Sequence, residues 1–129
     1  MLEVQICISS KDFFKESKEV QNAIICGAED LYGRIRSYED QNIEFCRIFN
    51  DDKIKYDKHG QFFTFKFQKM NMQIRILYSY LLIDDEPVLL VADFFVKKRK
   101  SNKYINRFDS LNNTDPLDLY CRAEVVYSA

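Results

Sequence analysis

The stretch from Gln61 to Val96 constrains the fold most. It contains QFFTFKFQ, QIRILYSYLLI and VLLVADFFV, separated by Lys69 to Met72 and by Asp84 to Pro87. Aromatic and β-branched side chains dominate the three runs, and the first two alternate with period two, which predicts three antiparallel strands. With Met70 and Asn71 as a two-residue turn, Phe67 faces Ile74, Phe65 faces Ile76 and Lys66 faces Arg75. Phe63, Phe65, Phe67, Ile74, Ile76, Tyr78 and Tyr80 then share one side, the core side. Thr64, Lys66, Gln68, Gln73, Arg75 and Ser79 share the other.

Around this block the pattern changes. LEVQICI at residues 2–8 reads as a first strand. Beyond Ser9 and Ser10, Phe13, Phe14, Val20, Ile24, Leu31 and Ile35 recur at helical spacing, with Gly27 as a break, which predicts a hairpin of two helices. The second helix is expected to continue to about Phe49, before an extended link to residue 60. Lys98 to Leu111 is polar and helix-compatible, and Asp115-Pro116 forces a break. The last run, LDLYCRAEVVYSA, reads either as a short helix or as a tail strand.

This is material for one compact α+β domain spanning 1–129. The 129 residues are 47% hydrophobic and 15% aromatic, with only 3 Gly and 2 Pro, so a core is available and long linkers are not. No apolar run is long enough to cross a bilayer, and MLEVQICISSKDFF lacks a basic segment leading into a long apolar one, so a cytoplasmic protein with no membrane partner is expected. Cys7, Cys26, Cys46 and Cys121 are scattered and form no C-x-x-C pair. Unpaired core thiols in a reducing compartment are expected, with no metal and no cofactor.

The formal net charge of -1 conceals an asymmetry. Residues 1–60 carry nine Lys and Arg against twelve Asp and Glu, and 109–129 carry one against four. Residues 61–108 carry nine against four. The central block is therefore locally suited to a polyanion between acidic flanks.

Lys66 directly opposite Arg75 focuses that charge. Like charges in cross-strand opposition are destabilising. The bland reading is that both chains splay into water or are neutralised by acidic residues from 1–60. The functional reading is a phosphate grip, in which a guanidinium and an ammonium stabilise developing negative charge. The run Lys97-Lys98-Arg99-Lys100, taken alone, is a solvated strand exit. In the expected register of the second hairpin, however, Lys98 lies opposite Gln73, diagonal to Arg75 and on the same face. With Tyr104 beyond it, this set suits single-stranded RNA, cations for the backbone and a ring for a base. His59, beside Gly60 in an expected loop, is a possible acid or base. Tyr78 falls on the core side. Asp93 is open between burial toward a basic neighbour and a place at the sheet edge.

Residues 61–108 resemble the RelE/HigB-type toxins of the RelE/ParE superfamily, including phage-derived relatives. In that family a strand-borne basic residue is followed in the next strand by an Arg in an R-x-x-Y context, as Lys66 is by Arg75 in RILY. VKKRKSNKY is similar to the family segment in which a catalytic Arg precedes a catalytic Tyr. Lys98 and Tyr104 hold those places here, and Gln68 stands where the family has a second basic residue. The FFVKK ending of the third strand is similar to the phage-derived branch.

The resemblance implies a β-α-α-β-β-β core, with antiparallel hairpins packed against an N-terminal helical hairpin and a short C-terminal helix or tail. It also implies the toxin of a type II toxin-antitoxin pair, a ribosome-dependent endoribonuclease that cleaves mRNA through the RNA's own 2′-hydroxyl without metal. On that basis Lys66, Arg75, Lys98 and Tyr104 are catalytic, and Lys97, Arg99, Lys100 and Lys103 bind RNA. The implied partners are mRNA, the ribosome and an antitoxin with a helix-turn-helix or an acidic tail. The competing expectation is a non-catalytic ParE-like or phage-encoded protein-binding module of the same fold.

Overall fold

The computed structural model describes residues 5–40, 58–59, 61–97 and 108–128. The chain forms an α+β fold around a six-stranded mixed sheet of order β2-β3-β4-β5-β1-β6. Its strands are β1 (Gln5–Ile8), β2 (Lys58–His59), β3 (Phe62–Lys69), β4 (Met72–Ile83), β5 (Glu86–Lys97) and β6 (Glu124–Ser128). The β3–β4–β5 meander is antiparallel, as the alternation predicts, whereas β1 runs parallel to β5 and antiparallel to β6.

The expected helical hairpin is not what these residues form. Lys11–Lys15 makes a 3-10 turn that buries Phe13, and Lys18–Asp40 is one continuous helix, α1. Ser17 caps it by accepting from the Val20 N–H at 3.3 Å. Ala23, Ile24, Ala28, Leu31 and Ile35 form its buried stripe against Ile6, Ile8, Phe65, Ile74, Ile76, Tyr78, Leu89 and Val91.

Gly27 does not break the helix. It makes room for the ring of Phe67, which a β-carbon at position 27 would overlap. Gly27→Ala should therefore destabilise the protein by about 1–3 kcal/mol through overpacking. Helix propensity alone favours alanine by about 1 kcal/mol, so a urea melt separates the two accounts by the sign of the change. One helical turn beyond, Lys69 binds Asp30 at 2.7 Å, which raises the Lys69 ammonium above its ordinary value, first through the hydrogen bond and then through charge. Together these contacts fix the far end of β3 to α1.

Among the described residues, the C-terminal segment covers part of the second face. Phe108, Leu111, Leu119 and Tyr120 pack with Phe62, Leu77, Val88 and Leu90. Asp115 opens the short helix α2 (Pro116–Tyr120) rather than merely ending a segment, its carboxylate accepting the Leu117 N–H at 3.0 Å. The C-terminal run proves to be both alternatives, α2 and then the edge strand β6. Cys7 is buried, and burial pushes its thiol up, while Cys26 and Cys121 are free but exposed, so the expectation of core thiols holds for Cys7 and not for those two. The expected helix end near Phe49, Cys46 and the polar stretch up to Arg107 lie outside the described residues. Among the described residues no helix is long and apolar enough to cross a membrane.

Two features of the meander differ from the sequence reading and alter its register. The β4–β5 connection uses only Asp84 and Asp85, with φ of 52° and 65°, so Glu86 and Pro87 belong to β5. Aspartate tolerates this left-handed backbone better than most residues. A β-bulge then shifts the pairing between Leu77 and Tyr78, where Tyr78 meets Val91 and Leu77 meets Asp93. Residue 92 is the extra one, and strand alternation is reset beyond it. As a result Lys97, not Lys98, lies opposite Gln73.

Candidate functional site

The β3–β4 hairpin turns on Met70 and Asn71, whose φ values of 52° and 63° are those of a type I′ connection. That turn sets Lys66 opposite Arg75, with Phe65 opposite Ile76 and Phe67 opposite Ile74. Cross-strand partners project from the same face with β-carbons about 5 Å apart, so the two cations stand side by side. Both are half-buried, and Phe65 and Ile76 are buried on the opposite side, under α1. The face bearing Lys66 and Arg75 is therefore the one away from the helix.

The bulge decides what joins them from β5. Ala92 packs with Leu77 and Leu90 on the second face, Phe94 turns back into the α1 core, and Asp93, Phe95 and Lys97 take the second face. Three cross-strand rows follow. Lys66, Arg75 and Phe95 form one row. Gln68, Gln73 and Lys97 form the row toward the β3–β4 turn, and Thr64, Leu77 and Asp93 form the row toward the covered end.

The inner row is buried and partly polar. Asp93 is 7% exposed and its carboxylate accepts the Phe94 N–H at 2.8 Å. Its carboxylate lies one row from Arg75, on the diagonal, so the question left open by sequence is answered in favour of burial on the basic face. The Thr64 hydroxyl is also buried, with no hydrogen-bond partner among the described residues. The outer row, with Lys97 and two amides, is more open. A polyanion on this face would meet three cations on three adjacent strands held by one sheet.

Tyr78 is fully buried on the α1 side, where it is tilted against Phe63, and burial pushes its phenol well above its ordinary value. It is a core aromatic with no path to the basic face. His59 lies in β2, its backbone paired with that of Phe62, rather than in a loop. Lys98, Arg99, Lys100, Lys103 and Tyr104 lie outside the described residues. No family model, curated protein or solved structure matches the chain.

A cleft of about 740 Å³ runs beside the end of β5, lined by Asp12, Lys15 and Glu16 and, from β5, by Phe94, Phe95 and Lys97. Its charges are of both signs. Among the described residues no group of three or more His, Cys, Asp or Glu side chains is placed to hold a metal. The residue that sequence reasoning missed is Phe95. FFV offers two adjacent phenylalanines, and only the bulge determines which of them leaves the core.

Proposed function

We propose that the protein binds single-stranded RNA on the sheet face that bears Lys66 and Arg75 and cleaves it, as the toxin of a type II toxin-antitoxin pair acting on mRNA at the ribosome. The observation that carries this reading is the opposition of Lys66 and Arg75 across β3 and β4. A phosphate bound between these two side chains is attracted by both cations at once. The resemblance of residues 61–108 to the RelE/HigB-type toxins suggests the reaction, and the RelE-like arrangement of the core is part of the same proposal.

In that reaction the RNA 2′-oxygen attacks the adjacent phosphorus, the 2′-hydroxyl proton passes to a base, and the 5′-oxygen leaves with a proton, giving a 2′,3′-cyclic phosphate. Arg75 holds the non-bridging oxygens as their charge grows, and its planar fork matches them. Lys66, beside the bound phosphate, serves as the base. Lys97 holds a neighbouring phosphate. The remaining assignments, Lys98 to the leaving oxygen and Tyr104 to a base or proton, follow from the family pattern.

Induced expression tests this reading. The wild-type chain should arrest growth and generate new mRNA ends within reading frames, mapped by sequencing. Arrest with intact transcripts would reject the nuclease and favour the non-catalytic module, the reading to which the net charge of -1 and Gln68 belong.

A further inference from the structure

Resting on the RNA reading of this face, we infer that Phe95 is the platform on which one base of the bound strand stacks, next to the phosphate held by Lys66 and Arg75. Phe95 lies directly opposite Arg75 and shares the face of Lys97, two residues on in the same strand. It is half-buried, packed at the edge of the cluster containing Phe108 and Leu77, so the ring is held in place without being sealed into the core. Adjacent strands are about 4.8 Å apart, which puts the ring about 7 Å from the gap between Lys66 and Arg75. That is the span from a phosphate to the base of its own nucleotide.

The bulge makes this arrangement possible. Without the extra residue, alternation would turn Phe95 and Lys97 under α1 and leave Phe94 on the basic face. With it, each of three adjacent strands contributes one element of nucleotide recognition: ammonium, guanidinium and ring. Bases in a duplex are stacked on each other and hidden from such a ring, so the ligand class is a single strand with splayed bases. Stacking tolerates any base, so this face supplies affinity and position rather than sequence preference.

The test uses the full chain and a short 2′-O-methyl RNA, which resists cleavage, with affinity read by fluorescence anisotropy. A matched oligomer keeps the sugar-phosphate backbone but carries abasic residues. Wild type should bind the intact oligomer roughly tenfold or more tightly than the abasic one. Phe95→Leu should lose that advantage and bind both alike, while Phe95→Tyr, which keeps a ring, should retain it. Wild type binding both oligomers equally, or Phe95→Leu preserving the difference, would overturn the platform and leave RNA binding by the cations standing. Failure of wild type to bind either oligomer would overturn the platform and the RNA reading together. Should Phe95→Leu fail to fold, Phe95→Met, which keeps the bulk and removes the ring, decides the question by the same comparison.

Discussion

Arg75→Ala is expected to reduce RNA cleavage at least about a hundredfold and to relieve growth arrest, the scale of loss when one preorganised donor to developing charge is removed. Arg75 is the central residue of the Lys66–Arg75–Phe95 row, so on the proposed reading its removal takes away the grip on phosphate. Lys66→Ala should cost a similar factor, and the double substitution little more than either alone, because groups acting on one transition state are not additive. Rates from mapped cleavage at fixed protein level provide the measurement. Fully additive losses would mean that the two cations act on different phosphates.

Phe65→Ala should instead remove about 3–5 kcal/mol of stability, measured by urea unfolding, while leaving no specific defect in the folded fraction. The ring is 3% exposed, lies in the principal core and stacks on Phe67 at 5.5 Å between centroids. Phe67 in turn fills the space over Gly27, so the loss of Phe65 loosens the contact that ties β3 to α1. Arg75→Ala, on the opposite face, should change stability far less. Comparable losses for both would contradict the division of the first hairpin into a face packed under α1 and a face bearing Lys66 and Arg75.

That division was legible in the sequence because a two-residue turn and strict alternation determine the partners across the first hairpin. The pairing of Lys66 with Arg75, the burial of Tyr78 and the orientation of Phe65 all follow from that local rule. The second hairpin obeys no such rule. Asp84 and Asp85 adopt positive φ without glycine, and VLLVADFFV is apolar on both faces, so neither the turn length nor the bulge leaves a mark in the hydrophobic pattern.

The pattern alone therefore puts Lys98 at the position that Lys97 occupies and leaves Phe95 unmarked. Gly27 is hidden for a related reason. Its role is set by Phe67, forty residues away, and local propensity reports only the cost of glycine in a helix.

The central claim is that Lys66, Arg75 and Lys97 on this face hold RNA phosphates, and the salt dependence of affinity tests it most directly. For a single strand, each phosphate neutralised contributes about -0.7 to the slope of log K against log salt. Three contacts predict a slope of about -2 for a non-cleavable RNA on the wild-type chain, and replacing Lys66, Arg75 or Lys97 by Gln should each make it shallower by about 0.7. A wild-type slope near zero, or slopes unchanged by all three substitutions, would contradict the account.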